Sequence, residues 1–279
     1  MMADYVGEKE GISLETLESY KGFAENSFNR FESIRGSGMT GWADLPYNQG
    51  EIVEDIIETA TKIREEYEYF VVLGIGGSAL GPIAVFQALK HLHYNDLPKE
   101  KRNGPKFYVE DNVDPERMLA LLDVVDVEKT MFNVITKSGA TSETMTQYLI
   151  IMDILKSKLG DKASKNVIAT TSASKGNLIK IAKQEGLKTF YIPDGVGGRF
   201  SELCPVGLLP AAVLGVNIKE FLKGAEYMDK LCKTGDYTKN PALASAILSY
   251  IAIQNGKNIS VMMPYADGLK YIADWYCQL

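Results

Sequence analysis

Between residues 70 and 192 the chain alternates short apolar runs with stretches of helical periodicity, and this alternation limits the fold more than any other feature. The apolar runs fall at residues 70–75, 106–110, 131–136, 166–171 and 188–192, and each is apolar on both faces, as a strand covered on both sides must be. Helical patterns occupy residues 79–91, 115–122, 141–159 and 175–185 between them. Such an order predicts an α/β fold: a three-layer α-β-α sandwich around a doubly wound, mainly parallel sheet. Sheets of this kind take their ligands at the carboxyl ends of the strands, so the loops that follow the apolar runs are where chemistry is expected.

The flanking segments read differently. Residues 12–34 have helical periodicity, and Gly36, Gly38 and Gly41 then lead into the connector Trp42-Ala43-Asp44-Leu45-Pro46. Helical periodicity returns over residues 51–69 and again through most of 201–250. A further β run, residues 258–265, precedes a last segment, 267–279, that Asp267 is placed to cap. Trp275, Tyr276 and Leu279 are large groups where fraying polar residues are usual. The expected division is an N-terminal helical segment and connector (1–50), a first α/β domain (51–215), a helical connection (216–257) and the start of a second, truncated α/β unit (258–279). A lone strand and helix cannot bury themselves, so an unpaired strand edge and exposed apolar side chains are expected there.

Thirty basic and 36 acidic residues give a net charge of −6, and no Lys/Arg cluster is interleaved with aromatics. That argues against a nucleic-acid partner and requires any anionic ligand to be caught locally. The opening residues 1–8 lack a basic segment followed by an apolar run, and the most apolar stretch, 207–216, contains Pro210 and is too short to span a bilayer. The reading is a cytoplasmic protein with no membrane partner. Cys204, Cys232 and Cys277 are odd in number and widely spaced, which fits neither a disulfide framework nor a zinc site. His91 and His93, two apart at the end of a predicted helix, do not face each other and are assigned to the surface.

Three loops carry the chemistry. Gly74-Ile75-Gly76-Gly77-Ser78-Ala79 follows the first strand and opens a helix, so backbone N–H groups and the helix dipole converge on an anion site. It also matches the dinucleotide fingerprint, but that motif places a ribose-binding acid roughly twenty residues on. Glu110 and Asp111 come much later. Glycines serving packing alone would leave Ser78 unexplained. Thr136-Lys137-Ser138-Gly139-Ala140-Thr141-Ser142-Glu143-Thr144 also joins a strand to a helix. Helix capping needs one hydroxyl, and the surplus of hydroxyls beside an ammonium makes a cage for a phosphate dianion. In Gly195-Val196-Gly197-Gly198-Arg199-Phe200-Ser201, one permanent cation sits in a backbone almost free of side chains, where it can hold an oxyanion at close range. Together the loops suit a small phosphorylated polyhydroxy molecule better than a dinucleotide.

These motifs, with Leu80-Gly81-Pro82 after the first, Asp194 before the third, Met263-Pro264-Tyr265-Ala266-Asp267-Gly268-Leu269-Lys270 and Asp274-Trp275-Tyr276, resemble bacterial glucose-6-phosphate isomerases. The resemblance covers the chain from about Trp42 onward. It implies two sugar isomerase domains working as a homodimer without metal or cofactor, the first of them complete here. Thr136, Lys137, Ser138 and Thr141 would hold the phosphate, Gly77 and Ser78 would line the sugar side, and Arg199 would lie beside the C1 and C2 oxygens. Thr136 and Ser138 exchange hydroxyl residues relative to other members, which preserves hydrogen bonding. The family's catalytic glutamate, and the histidine and lysine associated with ring opening, have no counterpart in these residues, and nothing nominates Glu143 or Glu202 as a substitute. The resemblance therefore implies glucose 6-phosphate/fructose 6-phosphate isomerisation by the complete protein and no significant turnover by these 279 residues alone. The other reading is a non-catalytic sugar-phosphate-binding module.

Overall fold

Five parallel strands form the sheet in a computed structural model that describes residues 11–279. They are β1 (Tyr69–Leu73), β2 (Lys106–Glu110), β3 (Thr130–Ile135), β4 (Val167–Thr171) and β5 (Lys188–Tyr191). Their spatial order is β2-β1-β3-β4-β5, and the pairing sets Phe70 beside Phe107 on one side and Met131 on the other. The order reverses between β1 and β3, so the crevice at that switch point lies between the loops that leave those two strands.

Twelve helices surround the sheet among the described residues: α1 (Leu14–Ser19), α2 (Lys21–Ile34), α3 (Gly50–Glu66), α4 (Leu80–Leu89), the single turn α5 (Lys99–Arg102), α6 (Pro115–Val124), α7 (Ser142–Leu159), α8 (Asn177–Glu185), α9 (Pro205–Val213), α10 (Ile218–Cys232), α11 (Pro241–Gln254) and α12 (Lys270–Gln278). Successive side chains of β1 serve opposite layers, as a strand's period of two requires. Phe70 and Val72 pack with Ile56 and Ile63 of α3, Val85 of α4 and Leu208 and Leu209 of α9. Val71 and Leu73 pack with Leu121 of α6, Ile151 and Leu155 of α7 and Leu178 of α8. These two cores are the two seams of the α-β-α sandwich. Every residue of α9 is buried, which suits a helix that is apolar on all sides. A smaller cluster joins α2 to α11 through Ala24, Ile247 and Ile251.

Several boundaries differ from the sequence reading. The helix expected over 12–34 breaks at Tyr20, whose N–H turns back to Leu17 O at 3.1 Å, and Ser13 caps the first piece by accepting from Thr16 N. Periodicity over 51–69 gives way at Glu66, and Tyr69 already opens β1. The helix expected to reach His91 stops at Leu89 because Lys90 is extended; His91 and His93 lie beyond it, both exposed, with His93 N donating to His91 Nδ1 at 3.0 Å. Residues 258–265 form no strand. Ile259, Val261 and Tyr265 are 84%, 70% and 93% exposed, and no strand among the described residues lies beside them to complete a ladder. Asp267 opens a single 3-10 turn and does not cap α12, whose N-cap Leu269 offers no side-chain acceptor. No helix among the described residues is long and apolar enough to cross a membrane. Residues 1–10, where the absence of a leader was read, lie outside the described residues.

Candidate functional site

The loop leaving β1 turns at Gly76, which has φ +59°, and forms a 3-10 turn before α4. Gly77 is needed for a different reason. A Cβ there would stand 2.2 Å from the carbonyl carbon and oxygen of Gly198, so only glycine lets this loop meet the arginine loop backbone to backbone. Ser201 Oγ donates to Gly198 O at 2.7 Å within the arginine loop and reaches Gly77 O at 3.5 Å across the contact.

The loop leaving β3 folds on its own hydroxyls. Thr136 Oγ1 accepts from Gly139 N at 3.2 Å and shares a hydrogen bond of 3.1 Å with Thr141 Oγ1, while Ser138 Oγ accepts from Ala140 N at 3.1 Å. Thr141 occupies the N-cap of α7 without capping it by a side-chain hydrogen bond. Simple capping therefore does not account for these hydroxyls, and the positive end of the α7 dipole adds to their preference for an anion. Thr144, in the first turn of α7, has a buried Oγ1 with no hydrogen-bond partner among the described residues.

Lys137 plays a part that its position in the cage did not suggest. Its Nζ donates to Pro193 O at 3.1 Å and to Val196 O at 2.9 Å. It thus ties the β3 loop to the arginine loop, and two of its three donors are committed to that tie.

These loops enclose a cavity of about 500 Å³ at the switch point. Gly77, Ser78, Thr136, Lys137, Ser138 and Thr141, the six residues assigned to binding, all line it. Arg199 does not; its neighbour Gly198 does. The Arg199 side chain is exposed, its Nη1 donates to Leu279 O at 3.4 Å, and its backbone carbonyl accepts from Trp275 Nε1 at 3.1 Å. α12 thus lies against the arginine loop. The cavity wall also holds Thr144, Ser172, Lys175 and Asp194, which the sequence reading missed. Ser172 and Lys175 belong to Ser172-Ala173-Ser174-Lys175-Gly176, a third strand-to-helix loop with the composition of the β3 loop. That composition was the available signal, obscured by assigning Lys175 to a helix that begins at Asn177, after Gly176 at φ +101°.

Neither glutamate considered as a substitute base lines the cavity, and Asp194 is the sole carboxylate among the lining residues. Glu202 is buried, neither of its oxygens has a partner among the described residues, and burial pushes its carboxyl well above the usual range. It fits because Gly81 and Gly207 lack side chains: a Cβ on either would come within 2.2 Å of the Glu202 carboxyl group. Burial likewise lifts the Cys204 thiol to about 12. Glu110 and Asp111, at the end of β2, pair with Arg117, the Glu110 contact being 3.1 Å from Nε. Burial outweighs that cation and pushes Glu110 up to about 7. Neither residue lines the cavity, so neither offers the ribose contact that a dinucleotide would use.

A doubly wound parallel sheet with a hydroxyl-lined cavity at its switch point defines the class, an α-β-α sugar isomerase domain. Residues 57–279 match the family model described as phosphoglucose isomerase, and the chain belongs to that family. A glucose-6-phosphate isomerase of Carboxydothermus hydrogenoformans is 52% identical over 272 residues, which are 98% of this chain and 59% of that protein. One from Caldanaerobacter subterraneus is 41% identical over 251 residues, 88% of this chain and 55% of that protein. The chain thus spans somewhat more than half the length of these curated relatives. Among solved structures, a hypothetical protein of Thermus thermophilus superposes with a TM-score of 0.84 at 33% identity, covering 95% of this chain and 60% of that one. A glucose-6-phosphate isomerase from Chlamydia trachomatis, with a TM-score of 0.81 at 23% identity over 96% of this chain and 56% of that one, shares the fold.

Proposed function

We propose that this chain supplies the phosphate-holding and oxyanion-stabilising parts of an aldose-ketose isomerase acting on glucose 6-phosphate and fructose 6-phosphate. The observation that carries the reading is the cavity in which Ser78, Thr136, Ser138, Thr141 and Thr144 present five hydroxyls beside a helix N-terminus. In the reaction a base removes the proton from C2 of the open-chain aldose, the C–H electrons form the C1=C2 bond, and the C1 carbonyl oxygen becomes the enediolate oxyanion. The O2 hydroxyl proton passes to O1, and as the O2 electrons form C2=O the C1=C2 pair takes a proton at C1, which gives the ketose. Arg199, next in the chain to the lining residue Gly198, is the residue to hold that oxyanion as its charge develops. No glutamate lines the cavity, and the general base is expected from a carboxylate that reaches C2 from outside its wall.

The same reading makes the complete protein a cytoplasmic homodimer with no nucleic-acid, membrane, metal or cofactor requirement. It also makes residues 258–279 the opening of a second sugar isomerase domain that follows the first (51–215) and a helical connection (216–257). The lack of a glutamate among the lining residues favours one alternative, a binding module without turnover. Both readings meet one experiment: fructose 6-phosphate is titrated into the chain by calorimetry, and isomerase activity is assayed for the chain alone and for the chain joined to the remaining length of the Carboxydothermus relative. Binding by the chain, with turnover only in the joined protein, is expected. Binding without turnover in either would favour the module, and no binding would refute both.

A further inference from the structure

We infer that Lys175, on the loop after β4, is the cation that neutralises the phosphate of the bound sugar. The inference rests on the proposed function and adds the charge partner of its ligand. Two lysines line the cavity, and they are not equivalent. Lys137 Nζ already donates to the carbonyls of Pro193 and Val196, so it can turn toward a ligand only by loosening the tie to the arginine loop. Lys175 is exposed, and its ammonium has neither a hydrogen bond nor an ion pair among the described residues.

Its placement is fixed by the backbone. Ser172 N donates to Lys137 O at 3.4 Å and Asn177 N to Ser138 O at 3.3 Å, so the β4 loop runs along the β3 loop on both sides of Lys175. Gly176 is held so close that a Cβ would lie 2.1 Å from Ser138 O. Lys175 therefore emerges next to the Ser138 end of the cage and lines the shared cavity. Asp194, the only carboxylate in the wall, belongs to the arginine loop and repels a dianion from that side. A phosphate set among neutral hydroxyls gains most from one charge-assisted donor, because such bonds are roughly twice as strong as neutral ones.

Lys175→Gln and Lys175→Arg are compared with the unaltered chain by calorimetric titration of fructose 6-phosphate, with Lys183→Gln, on an exposed part of α8, as the control. Thermal melting without ligand monitors the fold, and an exposed lysine should leave it unchanged. Lys175→Gln is expected to lose about tenfold or more in affinity. Lys175→Arg should retain most of it and Lys183→Gln all of it. Equal binding by Lys175→Gln and the unaltered chain, or an equal loss in Lys183→Gln, would overturn the role of Lys175 and leave the proposed function standing. Failure of the unaltered chain to bind fructose 6-phosphate would overturn both.

Discussion

Replacing Gly77 by alanine should pry apart the two loops that meet backbone to backbone in the cavity wall. The added Cβ would meet Gly198 C and O at 2.2 Å and Arg199 N at 2.7 Å. Non-bonded carbons rest at about 3.5–4.0 Å, so relief requires the loops to separate by roughly 1 Å or more. The atoms in the way are backbone on both sides, and no side chain can swing aside. Gly77 does not have positive φ, so the penalty is steric rather than torsional. Overpacking of this kind costs about 1–3 kcal/mol. For a domain of this size each kcal/mol lowers the melting temperature by about 2–4 °C. A shift of about 1 Å between reacting groups can also cost on the order of 10²-fold in rate. Calorimetric melting and fructose 6-phosphate titration of Gly77→Ala would read both effects. Gly224→Ala is the contrasting case: it lies inside α10 with nothing within 4 Å of an added Cβ, and should gain up to about 0.5–1 kcal/mol. If Gly77→Ala melts within about one degree of the unaltered chain and binds ligand equally well, the loops are not locked against each other and the reasoning fails.

Ser138→Ala combined with Thr141→Ala should weaken fructose 6-phosphate binding tenfold or more, since each hydrogen bond to a charged group contributes about 1.5–3 kcal/mol; unchanged calorimetric affinity would count against the cage. Arg199→Lys, made in the joined protein, should lower kcat with little change in KM, because lysine keeps the charge and loses the planar fork. A raised KM at constant kcat would make Arg199 a ground-state binding residue. Glu110, held near pH 7, and Glu202, held well above its ordinary range, keep protons in the folded state that the unfolded chain releases around 4.5. The unfolded state then binds fewer protons, so their contribution to stability falls as pH rises from about 5 through 7 and beyond. Melting temperature should decline across that window, and more shallowly in Glu110→Gln and Glu202→Gln; equal slopes would refute the assignment.

The sheet was legible because burial on both faces leaves continuous apolar runs, and β2 fell where expected, at residues 106–110. β1 and β3 each begin one residue earlier than expected, at Tyr69 and Thr130, since chain direction at a strand's edge depends on its neighbours rather than on its own hydropathy. Residues 258–265 look like a strand for the same reason the true strands do, yet a strand exists only when paired, and hydropathy cannot supply the partner. At the site, the hydroxyl cage was readable as a surplus over capping needs. The Lys137 tie was not, because it joins residues 56 and 59 positions apart that only the parallel sheet brings together. Lys175 went unassigned because its loop was absorbed into the helix that follows.

The buried Glu202 carboxyl also binds three distant positions into one unit of allowed variation. Gly81 opens α4, Gly207 lies in α9, and each yields its side-chain volume to the same carboxyl group. Alanine at either glycine should be strongly destabilising while glutamate stands at 202, and far less so once that residue is shortened. Their free energies will therefore fail to add, with the double variant sitting above the sum of its parts. Any route of accumulated substitutions through this part of the molecule must change residue 202 first, and the two glycines become free to vary only afterwards.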